Sequence, residues 1–237
     1  MHDRAPGRER ISALLRRSRR LFLYELVGLP IAALLVLAGS LWAFGTLVED
    51  FLTGDPIVRL DARIASTLHA HAREPFTRIL SVFTEVGGLV ALVTLTLVAG
   101  GYLYARGRRH HAALLALAFS GAEVLTAGLK AGFHRDRPSF ADPLATESTF
   151  SFPSGHALVA LAVYGALAFV IASSLPSWRA RAATFGVTGV LIVAIGFSRL
   201  YLGVHYLSDV LAGYSAGLVW LLVCVATVRL YRARRTL

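Results

Sequence analysis

The chain has 237 residues, of which 56% are hydrophobic and 16% are charged, with a net charge of +10. Soluble domains usually contain roughly 25% charged residues, so this composition excludes an ordinary soluble domain and a disordered chain. The charge comes from Arg clusters between apolar runs, a pattern typical of membrane topology rather than of nucleic-acid binding. The one cysteine, Cys224, lies within an apolar run, which excludes an intrachain disulfide. We therefore expect a polytopic membrane protein that lies in the bilayer and does not bind nucleic acid.

Six apolar runs are long enough, at about 20 residues, to cross a bilayer as helices. They cover Leu21–Val48, Val86–Tyr104, Ala112–Ala131, Ser154–Ser174, Thr184–Tyr201 and Leu207–Val228. The first run is too long for the apolar core of a signal peptide, so we interpret it as an uncleaved anchor. No internal repeat or low-complexity linker divides the chain. The predicted fold class is an all-α integral membrane protein, with residues 1–237 forming one six-span domain.

The segment between the first two spans, residues 49–85, is predicted to form amphipathic helices in the outer membrane interface. Apolar residues recur in it at helical spacing, namely Ile57, Leu60, Ile64 and Leu68, then Phe76, Ile79, Leu80 and Phe83. Asp61 falls elsewhere on the first helical wheel, together with Arg59, Arg63 and His69. Amphipathic helices in the interface account for this pattern better than a soluble domain does.

The distribution of Arg predicts the orientation, because cytoplasmic loops carry an excess of basic residues. Sixteen of the 24 Lys and Arg residues fall in segment 1–20, in tail 229–237, and in the loops after spans two and four. Both termini are therefore predicted to be cytoplasmic, with 1–20 and 229–237 as basic cytoplasmic segments. The Arg-rich composition and the compact single domain favour a bacterial cell membrane.

Three polar groups interrupt the apolar pattern, and charged residues at membrane depth usually mark function. The groups are Lys130 with Arg137-Pro138, then Pro153-Ser154-Gly155-His156, and finally Ser198-Arg199 with His205 and Asp209. The first two share one loop, and the third lies two membrane crossings away. All three are therefore predicted on one face of the membrane, which is the extracytoplasmic face in the orientation above.

These groups resemble the signature of the type 2 phosphatidic acid phosphatase superfamily in residue type, order and spacing. The signature reads Lys-x6-Arg-Pro, Pro-Ser-Gly-His and Ser-Arg-x5-His-x3-Asp, and residues 130–138, 153–156 and 198–209 reproduce it. The resemblance covers about residues 80–228. It implies a membrane lipid phosphatase that forms a phosphohistidine intermediate without a metal ion or other cofactor.

The residue types suit the chemistry of phosphoryl transfer, in which the charge on three peripheral oxygens has to be stabilised. Lys130, Arg137 and Arg199 are three cations for this purpose, and the two arginines can bind phosphate bidentately. The main-chain N–H groups of Ser154 and Gly155, at the start of a helix, are expected to add an anion site. The sequence thus predicts a phosphate-binding cage of these five residues.

Two histidines are predicted to do the covalent chemistry. His205 and Asp209 are four residues apart, so on a helix they share a face, and Asp209 can orient His205 as the nucleophile. His156 is placed to protonate the leaving oxygen and then to activate water as general acid and base. The carboxylate set of a magnesium or two-metal site is missing from these motifs, so no metal and no cofactor is expected.

The sequence leaves open the roles of several polar residues near the motifs. Glu123 lies seven residues before Lys130 on the same helical face, where it can tune that lysine or serve a structural role. His134, Arg135 and Asp136 lie within the spacer of the first motif. They either contact substrate or merely connect Lys130 to Arg137.

The sequence therefore indicates an integral-membrane lipid phosphatase that hydrolyses a lipid phosphate monoester or diphosphate. Candidate substrates are undecaprenyl diphosphate, phosphatidylglycerophosphate and phosphatidic acid. One alternative is a lipid phosphotransferase, in which an acceptor alcohol rather than water takes the phosphate from the phosphohistidine. A transporter or binding protein for anionic lipids is a second alternative, although it does not need the His205–Asp209 spacing. The oligomeric state stays open.

Overall fold

The computed structural model describes residues 29–54 and 56–235, and its regular secondary structure in these residues is entirely helical. The α-helices of the described residues are α1 (Leu29–Thr53), α2 (Pro56–Ala70), α3 (Phe76–Thr84), α4 (Leu89–Ala105), α5 (Arg109–Phe133), α6 (Gly155–Ser174), α7 (Trp178–Tyr201) and α8 (Leu207–Arg235). A short 3₁₀ turn, Glu85–Gly87, connects α3 to α4. From Ser40 onward the helices form one compact unit, and of the chain before it only residues 29–39, the first part of α1, are described.

Five of the described helices, α1, α5, α6, α7 and α8, are long and apolar enough to cross a membrane. A sixth span is formed if α4 is joined to the segment Phe76–Gly87, from which it is bent by 43°. The predicted all-α membrane fold is therefore confirmed.

Three predicted boundaries of the spans differ from the structure by five residues or more. One is the start of α7, which lies at Trp178, six residues before the predicted Thr184. Helix α1 continues past Val48 to Thr53, whereas residues 21–28 of the predicted first span and segment 1–20 lie outside the described residues. Helix α8 continues past Val228 to Arg235, so most of the predicted basic tail is helical. Arg is a good helix former, and an Arg-rich tail therefore extends a helix rather than ending it.

The helices predicted for residues 49–85 are present as α2 and α3, and both are amphipathic. Helix α3 packs against α7 and buries Leu80, while Ile79 and Val82 are exposed. Helix α2 packs against α7 and α8. Leu60 is 47% exposed, which suits an apolar residue of an interfacial helix. Asp61, on the polar side of the predicted helical wheel, is only 1% exposed, which the sequence did not predict. The reason lies in a buried ion pair, described below, that only the tertiary structure reveals.

Helix α6 is the central helix and packs against α5, α7 and α8. Its buried face is rich in alanine, and small residues allow helices in a membrane to approach closely. Two glycines of α8 bring it nearest to α6. A Cβ atom at Gly213 would lie 2.6 Å from the carbonyl oxygen of Ser154, and one at Gly217 would lie 2.6 Å from that of Leu158. This approach places the start of α8, including Asp209, against the start of α6.

Candidate active site

The three polar groups meet at the end of the helix bundle where α5 and α7 end and α6 and α8 begin. They surround a site cleft of about 310 Å³. Its lining residues are Gly87, Leu89, Glu123, Thr126, Ala127, Lys130, Arg137, Glu147, Thr149, Gly155, His156, Val159 and His205. Five of the eight predicted site residues thus line one cleft, and Ser154, Arg199 and Asp209 are buried around it.

His205 lies in the turn between α7 and α8, and its two ring nitrogens face different groups. Its Nδ1 is 3.4 Å from Oδ2 of Asp209, an ion-pair distance rather than a short hydrogen bond. Its Nε2 is 3.2 Å from Nη1 of Arg137, and because arginine can only donate, Nε2 accepts in this contact. Burial lowers the pKa of His205 to about 4, although Asp209 acts in the opposite direction. The ring is therefore neutral near pH 7, the form that a nucleophilic histidine requires.

Arg137 is held by main-chain carbonyl groups on both sides of the cleft. Its Nε donates to the oxygen of Thr149 at 2.6 Å, and its Nη1 donates to the oxygen of Val204 at 2.6 Å. Burial lowers the pKa of Arg137, but a guanidinium remains charged under all ordinary conditions. The arginine thus presents a fixed positive charge beside His205.

Lys130 and Glu123 line the same cleft from helix α5. The Nζ of Lys130 donates to Oγ1 of Thr149 at 2.9 Å, so the lysine points toward the loop that carries the second motif. Glu123 lies two helical turns deeper, on the same face of α5. The structure therefore places this carboxylate in the wall of the cleft, below the cationic group.

Arg199 is buried at the end of α7, and its contacts reach the cleft through an acidic residue that the sequence analysis did not single out. Its Nη1 donates to Oγ1 of Thr84 at 3.2 Å, and its Nη2 is ion-paired with Oε1 of Glu147. Burial raises the pKa of Glu147, but the charge of Arg199 outweighs it and leaves the pKa below its ordinary value. Glu147 is therefore ionised at neutral pH. No local pattern marks this residue, since its role follows only from where the loop between the motifs folds back.

His156, Gly155 and Ser154 form the start of α6. His156 lines the cleft together with His205, and a Cβ atom at Gly155 would lie 3.0 Å from Cγ2 of Thr126 on α5. The main-chain N–H of Ser154, predicted as a phosphate donor, instead donates to the carbonyl oxygen of Asp209 at 3.0 Å. Its hydroxyl is buried and has no hydrogen-bond partner among the described residues, so any phosphate contact of Ser154 has to come from Oγ.

The spacer residues of the first motif line a neighbouring cavity of about 660 Å³ together with Lys130 and Arg137, and each has different contacts. His134 is the left-handed residue that ends α5, with φ 48°, and its ring packs edge-on against Phe150. The carbonyl of Asp136 accepts a hydrogen bond from Ser151. Arg135 is buried and ion-paired with two carboxylates, those of Asp61 and Asp209.

Within residues 29–54 and 56–235, no group of three or more His, Cys, Asp or Glu side chains is arranged to hold a metal ion. The positive charge of the site is supplied instead by Lys130, Arg137 and Arg199. Catalysis without a metal ion stays a prediction, which a chelator can test.

Comparison with known proteins relates this arrangement to a family of enzymes. A family model described as the PAP2 superfamily matches residues 110–232, which contain all three polar groups. Phosphatidylglycerophosphatase B of Bacillus subtilis (strain 168) is 36% identical over 149 residues, or 62% of this chain and 73% of that protein.

Two solved structures share the fold. The crystal structure of a transmembrane PAP2 type phosphatidylglycerolphosphate phosphatase from Bacillus subtilis has a TM-score of 0.69 and 29% identity, covering 86% of this chain and 96% of that chain. Aquifex aeolicus LpxE has a TM-score of 0.56 and 23% identity, covering 70% of this chain and 95% of its own. The likeness to LpxE concerns the fold alone.

Proposed function

Because the chain belongs to the PAP2 superfamily and is an integral membrane enzyme that hydrolyses phosphoric esters, we propose that it removes the terminal phosphate of a lipid through a covalent intermediate on His205. The observation that supports this most directly is the placement of the two nitrogens of His205. Nε2 faces Arg137 in a cleft that also contains Lys130 and His156, while Nδ1 faces Asp209.

In this proposal, the cations Lys130, Arg137 and Arg199 hold the peripheral oxygens of the phosphate and neutralise charge as the transition state forms. Gly155 allows the phosphate to approach the start of α6, and the hydroxyl of Ser154 supplies a further donor. Arg137 can turn the N–H that meets Nε2 of His205 to a phosphate oxygen while its other N–H groups keep their contacts with the carbonyl oxygens of Thr149, Phe150 and Val204, because a guanidinium has five N–H donors.

The reaction then proceeds in two steps. In the first, Nε2 of His205 bonds to phosphorus while the bond from phosphorus to the lipid oxygen breaks, and His156, which takes up a proton once the anionic phosphate lies beside it, gives that proton to the lipid oxygen. In the second, neutral His156 takes a proton from water, the water oxygen bonds to phosphorus, and the phosphorus–nitrogen bond breaks. Asp209 keeps the proton of His205 on Nδ1 and stabilises the positive charge of the phosphohistidine ring.

The relatives favour one substrate class among the candidates. Phosphatidylglycerophosphatase B of Bacillus subtilis is similar over most of its length, and we therefore propose phosphatidylglycerophosphate, a lipid phosphate monoester, as the preferred substrate. Undecaprenyl diphosphate and phosphatidic acid present the same terminal phosphate and are the comparisons that a substrate panel has to include.

The shape of the cleft supports lateral access from the bilayer. It extends from His205 to Leu89 at the start of α4 and to Glu123 within α5. A lipid can therefore place its head group among the cations while its acyl chains stay between the helices and the surrounding bilayer lipid. The excess of Arg in the opposite loops supports an extracytoplasmic site with both termini in the cytoplasm.

A phosphate-release panel tests this function. The full chain, purified in detergent with EDTA present, is given the three candidate lipids, and inorganic phosphate is measured, with the His205→Ala variant as the control. We expect release from phosphatidylglycerophosphate to be fastest and to disappear in the variant. Phosphate that appears only on an added alcohol indicates a phosphotransferase, and lipid binding without any turnover indicates a binding protein; either result contradicts the proposal.

A further inference from the structure

A buried chain of polar contacts connects helix α2 to the candidate nucleophile through Arg135. Nη2 of Arg135 donates to Oδ2 of Asp61 at 2.9 Å, and Nη1 donates to Oδ1 of Asp209 at 2.5 Å and to Oγ of Ser208 at 2.7 Å. Asp61 is 1% exposed, Arg135 is 7% exposed and Asp209 is fully buried. Breaking a buried ion pair leaves an uncompensated charge, so the three groups depend on one another.

The contacts determine how the carboxylate of Asp209 is oriented. Oδ1 is occupied by Arg135, whereas Oδ2 accepts the main-chain N–H of Tyr206 at 2.9 Å and lies 3.4 Å from Nδ1 of His205. The guanidinium carbon of Arg135 in turn lies over the ring of Tyr206, 4.4 Å from its centroid. With both oxygens engaged, the carboxylate cannot rotate away from the histidine.

Asp61 also affects the charge that His205 experiences. Arg135 alone would cancel the negative charge of Asp209, but Asp61 pairs with the same guanidinium and leaves the three groups with one net negative charge. Asp61 additionally accepts the main-chain N–H of Ser208 at 2.9 Å and is hydrogen-bonded to its hydroxyl, which ties α2 to the first turn of α8.

We propose that Asp61 and Arg135 are positioning residues for the reaction: they orient Asp209, keep its field negative, and so hold His205 with its proton on Nδ1 and Nε2 toward the phosphate. This inference rests on the proposed role of His205 as the nucleophile. It gives α2 a part in catalysis although the helix contributes no residue to the site cleft.

The test combines steady-state kinetics with the protonation state of His205. The variants are Asp61→Asn and Arg135→Lys, and the matched controls are Asp142→Asn, an exposed aspartate, and Arg63→Gln, an exposed arginine of α2. Arg135→Lys keeps the positive charge but cannot bridge both carboxylates as a guanidinium does. Because it preserves the buried charge, it decides the question even if Asp61→Asn does not fold.

We expect kcat to fall about 10- to 100-fold in both variants, the range typical of residues that orient a functional histidine, with KM changed by less than about threefold. In protein labelled with 15N-histidine, the signals of His205, assigned by their loss in His205→Gln, should show a proton moving from Nδ1 toward Nε2. A network that only joins α2 to α8 would lower thermal stability but leave both kcat and the 15N signals unchanged, and this result would overturn the inference. Activity in His205→Ala would instead overturn the proposed function itself.

Discussion

Glu147 is ion-paired with Arg199, and the arginine side chain is 4% exposed while that of Glu147 is 33% exposed. Arg199 is also one of the three cations proposed to bind the phosphate of the substrate. Since the carboxylate and the phosphate are both anionic, we expect them to compete for Arg199, so that substrate displaces Glu147 from it. The pKa of Glu147 is lowered because the effect of Arg199 outweighs that of burial, so we expect this competition at neutral pH.

Replacing Glu147 with Gln should therefore tighten the binding of phosphate analogues. We expect the inhibition constant of vanadate to fall by up to about tenfold, which corresponds to about 1.4 kcal/mol. The measurement is vanadate inhibition of phosphate release. Glu74→Gln is the matched control, because this exposed glutamate lies outside the cleft. Unchanged or weaker vanadate binding in the Glu147 variant would show that the carboxylate does not compete.

The role of His205 can be tested by trapping the intermediate. His205→Ala removes the attacking atom, so we expect phosphate release to fall by at least about a thousandfold. Asp209→Asn keeps the shape but loses control of the tautomer, and we expect a loss of about 10²- to 10⁴-fold. Rapid mixing with labelled lipid, followed by denaturation in alkali to preserve a phosphohistidine, should give labelled wild-type protein only.

The matched control for the trapping experiment is His71→Ala, since this exposed histidine lies outside the site cleft. It should keep both turnover and labelling. Labelling that survives in a folded His205→Ala protein would assign the covalent step to another residue.

Much of the site could be predicted from the sequence because its residues are close together along the chain. The four-residue spacing predicted that His205 and Asp209 lie together, although His205 lies in the turn just before α8 rather than on the helix. The parity of the spans placed both on the face that carries Lys130. Helix boundaries were predicted mostly within a few residues, because long apolar runs leave few alternatives in a membrane.

The residues that were missed depend on contacts between distant segments. Asp61 looked like a solvent-facing residue of an amphipathic helix, and only the packing of α2 against α8 shows that it pairs with Arg135. Glu147 reaches Arg199 because of the path of a loop that has no periodic pattern. The N–H of Ser154 was expected to bind phosphate, but the close approach of α8 at Gly213 gives it a carbonyl partner.

Vanadate should inhibit the enzyme, and EDTA should not. Vanadate adopts the five-coordinate geometry of the phosphoryl transition state, which suits a cage of cations that faces an attacking His205. A chelator would matter only if a divalent ion supplied the positive charge that we assign to Lys130, Arg137 and Arg199. The measurement is phosphate release with each reagent. Activity that disappears in EDTA and returns with magnesium would contradict this assignment.

The orientation of the protein can be tested with introduced cysteines. Ala141 lies in the exposed loop that joins the first two motifs, and Ala105 is exposed at the opposite end of the bundle, where α4 ends. The neighbouring Gly107 is unsuitable, because its φ of 72° would strain a cysteine. Cys224 is 2% exposed, so the native thiol should give little background.

In intact cells, a membrane-impermeant maleimide should label Ala141→Cys, whereas Ala105→Cys should react only after the cells are opened. The two variants carry the same substitution, so each serves as the control for the other. This result is expected because the Arg-rich loops after α4 and α6 favour the cytoplasm, which places the cations of the site outside. If Ala105→Cys reacts first, the orientation is reversed, and the enzyme would take its lipid from the cytoplasmic leaflet.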